Sequence, residues 1–472
     1  MHNYSGHYYA GTWHSSSQRD AIRVINPATE EVIGAVPAGT AADVDAAVAA
    51  ACAAQPDWAE RGAAGRVDYL ERLHEKLVER GPELAELITS ELGMPVKLSL
   101  RIQATLPALV LQSYIALVRD FSFSEQIGHS LVLKEPIGVV AAITPWNYPL
   151  HQLMIKVAAA LAAGCTVVAK PSELAPLNAF ALAEIIDSCG FPAGVFNLVS
   201  GTGSAVGEPL CAHPGVDMVS FTGSTATGKR ILTLAAATVK PVALELGGKS
   251  AAILLDDADL ATAVKATLNS CFLNSGQTCS AQTRLLVPQE RYAEVVTLVQ
   301  ELTAGFVVGD PRDPQTRIGP LVSASQRDRV QEFIRAGVTQ GAELLAGGAE
   351  PPVGLPHGYY VQPTVFGAVT PAMTIAQQEI FGPVLCIMTY ADEEEAIRTA
   401  NDSIYGLSGA VWSARNDRAE RVARRLQTGQ VDINGGRFNP LAPFGGYKQS
   451  GLGRELGHYG LEEFLQTKSL QF

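Results

Sequence analysis

Between residues 139 and 255 short apolar runs alternate with helical stretches, and this alternation constrains the chain more than any other feature. The runs lie at 139–143, 166–169, 195–199, 218–222, 242–246 and 252–255 and are built largely from Val, Ile, Leu and Ala. Apolar strands separated by helices pair through crossovers rather than hairpins, so the pattern predicts a parallel sheet with helices on both faces. Upstream, residues 43–54 are Ala-rich, and 66–80 and 82–92 carry Leu and Val at three- and four-residue spacing, which predicts helices covering that sheet. After Asp259 a helical run at 260–273 leads into Asn274-Ser275-Gly276-Gln277-Thr278-Cys279. Further alternation through Val287, 384–390 and 410–412 predicts a second α/β unit. With 472 residues the chain has room for about three compact units of ~150 residues. Residues 434–453 are rich in Gly and Pro, the composition of a long loop, and such loops inside compact domains usually serve function.

Charge narrows the partners. The 47 acidic and 35 basic residues give a net charge of −12, and no run of Lys and Arg concentrates positive charge, so neither nucleic acid nor an anionic membrane is expected. The uncharged stretch 136–155 has nearly bilayer-spanning length. It is interrupted by Pro136, Pro145 and Pro149 and carries Asn147, His151 and Gln152, so it reads as a buried segment. The first residues show neither a charged n-region nor an apolar h-region. Seven cysteines, an odd number with no Cys-x-x-Cys, speak against a disulfide framework and a zinc cage, and the expected home is a reducing cytoplasm. Neither His-Glu-x-x-His nor Gly-x-Ser-x-Gly occurs, so zinc-protease and hydrolase-elbow readings lose their usual entry points, and with the histidines scattered no metal site is expected.

Several motifs carry chemistry. Gly223-Ser224-Thr225-Ala226-Thr227-Gly228-Lys229-Arg230 matches a P-loop until its last position, where Arg230 stands in place of the Ser or Thr that would hold magnesium. What survives is a strand, a Gly-Ser turn and a helix whose first N–H groups suit a pyrophosphate, beside the plainer reading of an empty strand-to-helix turn. The second glycine cluster, Gly201 to Gly207, misses the dinucleotide fingerprint spacing by one residue. Cys279 follows a helix among small and polar residues, the accessible setting a nucleophilic thiol needs, whereas the cysteines at 165, 189, 211, 271 and 386 read as small buried hydrophobes. Glu245 lies at the end of an apolar strand in Leu244-Glu245-Leu246-Gly247-Gly248, where burial would raise its pKa and suit it to a base role.

Taken together, Pro145-Trp146-Asn147-Tyr148-Pro149, Lys170-Pro171-Ser172-Glu173, Phe221-Thr222-Gly223-Ser224, residues 244–250, residues 276–279, Glu379-Ile380-Phe381-Gly382-Pro383 and Pro443-Phe444-Gly445-Gly446-Tyr447-Lys448 stand in the order seen in the aldehyde dehydrogenase superfamily. The resemblance runs from Ile25-Asn26-Pro27 to the C-terminus. It implies an α/β fold with a doubly wound, Rossmann-like dinucleotide-binding domain (1–120 and 140–247, with 450–464 returning to it), an α/β catalytic domain (248–449) and a small β oligomerisation element (121–139 and 465–472). A homodimer or homotetramer is then expected.

The resemblance also implies roles. Cys279 would attack an aldehyde, with the oxyanion held by the Asn147 amide and the Cys279 backbone N–H, and Glu245 would activate the water that hydrolyses the thioester. Relatives that transfer the acyl group to coenzyme A commonly lack the glutamate, so Glu245 favours hydrolysis. Lys156 and Glu455 match a proton path, or else are a snorkelling lysine and a surface glutamate. Lys170 and Glu173 match the pair at the adenosine ribose, Trp146, Gly223 and Ser224 the pyrophosphate contacts, Glu379 the nicotinamide ribose and Phe381 the nicotinamide ring. A carboxylate at Glu173 accepts from ribose hydroxyls but repels a 2′-phosphate, so NAD is expected over NADP.

For the substrate pocket the candidates are Tyr148, Gln152, Leu153, Thr278, Ser280, Arg101 and the loop 435–439 with Arg437 and Phe438. Phe438, Tyr148 and Leu153 suggest an apolar or aromatic aldehyde; Arg437 either clamps a distal carboxylate, making this a semialdehyde dehydrogenase, or faces solvent. Two rival classes stand beside these, a nucleoside triphosphatase using residues 223–229 and a catalytically silent NAD-binding protein.

Overall fold

The computed structural model describes residues 2–16 and 20–472. Its first sheet is built on β1 (Val139–Ile143), β2 (Thr166–Lys170), β3 (Phe196–Leu198), β4 (Met218–Thr222) and β5 (Val242–Glu245), all parallel in the order β5-β4-β1-β2-β3. Five of the six expected strands fall within a residue of these bounds because each apolar run is one strand, buried along nearly its whole length. The helices α1 (Pro149–Ala163), α2 (Leu177–Ser188), α3 (Glu208–Ala212) and α4 (Thr225–Ala235) lie in the crossovers. All fifteen residues of α1 are buried, which accounts for the uncharged stretch after 136. Two short antiparallel additions extend the sheet: Gly451–Leu452 pairs with β5, and Gly6–Tyr9, in a hairpin with Thr12–Ser15, pairs with β3.

Strand order turns around between β1 and β4. At such a switch point the loops leaving the two strands diverge and open a crevice at their carboxyl ends. Those loops here begin at Thr144 and Gly223, inside two of the sequence motifs.

The run expected at 252–255 belongs elsewhere. It forms β6 (Ala251–Leu254) at the heart of a second sheet, joined by β7 (Arg284–Pro288), β8 (Glu343–Ala346), β9 (Thr364–Gly367), β10 (Val384–Tyr390), β11 (Gly409–Trp412) and β12 (Asp432–Ile433) in the order β8-β9-β10-β7-β6-β11-β12. Only β8 is antiparallel. Helix α5 (Leu260–Phe272) covers one face and α6 (Ala324–Thr339) the other, each with its own apolar cluster. A period of apolar runs cannot report which sheet a strand joins.

Upstream helices span Ala41–Glu60, Gly62–Glu79 and Gly81–Leu92. The first continues through Pro56, beyond the expected end at 54, because Trp58 is fully buried and its indole N–H donates to the Leu161 carbonyl at 3.2 Å. The run Val96–Asp120 has the length and apolarity to cross a membrane, but its residues Val110, Leu111, Tyr114 and Val118 are buried in the core of the first sheet. Finally, Ser124–Ile127, Ser130–Pro136 and Leu465–Gln471 form a separate antiparallel sheet, in register from Leu465 opposite Pro136 to Gln471 opposite Ser130.

Candidate active site

A cleft of about 620 Å³ opens at the switch point. Trp146, Lys170, Glu173, Gly223 and Ser224 all line it, so the structure brings together the expected adenosine-side and pyrophosphate residues. Ser224 caps α4 by accepting from the Thr227 N–H at 3.2 Å, and the first N–H groups of a helix have no carbonyl one turn back, which leaves a partial positive charge there for an anion. Lys170 Nζ donates to the Pro171 carbonyl at 2.9 Å and lies 3.6 Å from a Glu173 oxygen; burial lowers its pKa. Gly203, Ser204 and Gly207 from the second glycine cluster also line the cleft. Their spacing alone had given no such signal.

Adjoining it is a cavity of about 180 Å³, sharing Trp146, Gly223 and Ser224, with Cys279, Asn147, Glu379 and Phe381 in its wall. The indole of Trp146 meets the Phe381 ring edge-on at 5.3 Å. Glu379 accepts from the Gly248 N–H at 3.0 Å, and its burial pushes its pKa up to about 7. A Cβ at Gly247 would stand 2.3 Å from the Glu379 carboxylate, so a larger residue there would displace that side chain. Carboxylates at both ends, an anion-binding helix start between them and adequate volume fit a dinucleotide.

The candidate nucleophile Cys279 follows unusual backbone. Asn274 and Ser275 have φ of 52° and 57° and Gly276 has +75°, three consecutive left-handed residues just before Cys279. Asn274 Nδ2 and Gln103 Nε2 both donate to the Asn147 carbonyl, at 2.9 and 3.2 Å, while Asn147 Nδ2 donates to the Gln277 carbonyl at 3.0 Å. That bond occupies one amide proton of Asn147 and leaves the second for an oxyanion. Half-buried Cys279 has its thiol pKa pushed up by burial and by the nearby Glu245 and Glu379 carboxylates, against a lowering contact with the Ser280 N–H.

Glu245 does not line the Cys279 cavity. It ends β5 opposite Thr222, which does, and its carboxylate borders a small cavity with Glu455, Arg454 and Phe444 that has room for about one water. Both Glu245 oxygens are buried without a hydrogen-bond partner, and burial, reinforced by Glu455, raises its pKa. Lys156, almost fully buried, is in tight contact with Glu455, so neither is the solvent-facing residue of the plainer reading.

Substrate candidates separate. Tyr148 Oη and Thr278 Oγ1 share a 2.6 Å hydrogen bond beside Cys279, and Gln152 lines the Cys279 cavity. Leu153 is sealed in the core, Ser280 is half-buried and Arg101 is exposed. Arg437 and Phe438 line another cavity of about 260 Å³ with Asp432 and Phe444, and Cys279 is not in its wall. Among the described residues Arg437 has no ion-pair partner. Residues that no motif had marked are Gln326 and Arg329, which reach the Cys279 cavity from α6 and donate to the carbonyls of Phe381 and Glu379 at 2.9 and 3.1 Å. Only the Ser323 helix cap before them is legible in the sequence.

A model of the aldehyde dehydrogenase family matches residues 13–470. The chain is 51% identical over 471 residues to a Pseudomonas protein named 3-succinoylsemialdehyde-pyridine dehydrogenase, covering 100% of this chain and 99% of that one. Among solved structures, a mutant of Pseudomonas syringae aldehyde dehydrogenase C in complex with NAD+ and octanal superposes with a TM-score of 0.98 at 46% identity, covering 99% of this chain and 96% of the other. Mycobacterium tuberculosis aldehyde dehydrogenase complexed with NAD+ gives 0.97 at 42% identity, covering 100% and 98%.

Proposed function

This chain belongs to the aldehyde dehydrogenase family, and from that premise we propose that it oxidises an aldehyde to the carboxylic acid with NAD through a thioester on Cys279. The observation that carries the reading is the meeting of the dinucleotide-sized cleft with the cavity that holds Cys279 and Asn147.

The Cys279 sulfur bonds to the aldehyde carbon as its proton passes to the nearby Glu245 carboxylate, which hands it on toward Glu455 and Lys156, and the oxyanion is held by the free Asn147 amide proton and the Cys279 N–H. Bound NAD would supply the acceptor for the hydride that leaves this carbon. Glu245 then takes a proton from water as the water oxygen attacks the thioester; the C–S bond breaks and the thiol is restored. A carboxyl group with a raised pKa suits that task at neutral pH. Its position beside Glu455 and Lys156 supports a route by which the proton leaves. Glu173, Lys170, Trp146, Gly223 and Ser224 hold the adenosine and diphosphate portions, and Glu379 and Phe381 the nicotinamide end. The carboxylate of Glu173 supports NAD over NADP.

An apolar or aromatic aldehyde suits Tyr148 beside Cys279, while the Phe438–Phe444 pair, with rings 6.2 Å apart, lines a separate cavity. A second reading, a semialdehyde with a distal carboxylate, draws on the unpaired guanidinium of Arg437 beside those rings. The working unit is a homodimer or homotetramer formed through the separate three-stranded sheet. The test incubates the protein with NAD and aliphatic, aromatic and carboxylated aldehydes while near-ultraviolet absorbance follows the reduced cofactor. Wild type is expected to turn over, whereas Cys279→Ala binds NAD and does not; equal turnover in the variant rejects the thioester.

A further inference from the structure

Four charged side chains line the large cleft: Lys170, Glu173, Glu208 and Arg230. They form two pairs. Lys170 lies 3.6 Å from Glu173, and Arg230 grips Glu208 through two hydrogen bonds, Nε to Oε1 at 3.0 Å and Nη2 to Oε2 at 2.6 Å. The pairs are neighbours on one wall, because Gly207, which precedes Glu208, lies against the Lys170 stem: a Cβ built there would be 3.6 and 3.7 Å from its Cδ and Cε.

We propose that Glu208 is a second determinant of cofactor choice, pairing with Arg230 so that the adenosine end of the cleft offers its guanidinium less readily to a 2′-phosphate. This rests on the reading that the cleft binds NAD with its ribose at Glu173. A guanidinium presents a planar fork of donors that matches phosphate, and among the described residues Arg230 is the only one lining the cleft. Lys170 is a poorer candidate, being buried and committed to the Pro171 carbonyl. The Nε–Nη2 edge of Arg230 is filled by the Glu208 carboxylate, whose two oxygens occupy the positions two phosphate oxygens would take there, and the carboxylate charge offsets that of the guanidinium as a whole. The arrangement therefore disfavours NADP twice, once through the charge of Glu173 and once through the sequestered Arg230. Both members of the outer pair are substantially exposed, at 54% and 39%, so the ion pair is weak and neutralising one carboxylate releases the arginine. Glu208 is a positioning residue, acting only through Arg230.

The test measures kcat/KM for NADP over NAD in wild type, Glu173→Ser, Glu173→Ser with Glu208→Gln, and that double variant with Arg230→Gln. Adding Glu208→Gln to Glu173→Ser is expected to raise the ratio by about fivefold, the scale of one exposed ion pair, and adding Arg230→Gln removes that gain. Binding of 2′,5′-ADP against ADP, followed by calorimetry, is expected to move in parallel and reads the effect without turnover. Glu420→Gln, which removes the same charge from the exposed Glu420–Arg424 pair on another helix, leaves the ratio unchanged. A ratio unmoved by Glu208→Gln, or a gain that persists without Arg230, overturns the role of Glu208. Wild type preferring NADP, or failing to bind ADP, overturns the underlying reading instead.

Discussion

Glu245 is 2% exposed, and neither of its carboxylate oxygens meets a hydrogen-bond donor. Burial therefore disfavours its charged form, the Glu455 carboxylate disfavours it further, and Lys156 only partly offsets both. Its folded pKa lies above its unfolded value, so the residue contributes most to stability below the ordinary carboxylate pKa, and that contribution is lost as pH rises through the folded pKa. Glu245→Gln cannot ionise, and is expected to melt above wild type by a margin that widens as pH rises above the ordinary carboxylate range. A margin that narrows with rising pH would contradict the assignment. The same variant should lose turnover by about 10²- to 10⁴-fold, the usual worth of a general base, while a thioester accumulates on Cys279 that intact-mass spectrometry can detect. The Cys279 thiol is pushed up by the same carboxylates, so its activation requires a proton acceptor close by.

At the level of elements, the site is two loops pressed together. The left-handed turn 274–276 brings Cys279 against the loop that follows Glu379, and a Cβ at Gly276 would stand 2.1 Å from the backbone of Gly382. Gly276→Ala is expected to cost about 1–3 kcal/mol through its backbone conformation alone, with the collision adding to that. Denaturant unfolding should show the loss, and kcat should fall with it because Asn147 is tied to this turn through Asn274 and Gln277. Unchanged stability would mean that the two loops separate freely. The strand, turn and helix of β4 and α4 were legible because an apolar run, Gly-Ser and a capping serine each act locally. The contribution of α6 to the Cys279 cavity was not, since Gln326 and Arg329 reach it only through the packing of one sheet's helix against another segment's loop.

For the whole molecule, the three-stranded sheet places Leu465–Gln471 at an edge, with Leu470 and Phe472 exposed. An unpaired edge strand with apolar side chains is a template for a second chain. Deletion of residues 467–472 is expected to reduce the mass measured by light scattering, and an unchanged mass would remove this sheet from the assembly. Sequence alone determined the strands and helices of the first sheet and the glycine turn before α4, because apolar period and capping are properties of a few consecutive residues, while Cys279, Asn147 and Glu245 came together as candidates only through the resemblance of their motifs to the family. The tertiary structure decided that 251–254 belongs to the second sheet and that Trp58 carries a helix past Pro56. It also set Glu245 between Glu455 and Cys279, near enough to raise the pKa of the thiol, and Arg437 on a cavity of its own. Those outcomes depend on contacts between residues far apart in the chain, whose burial and charge partners no local pattern encodes.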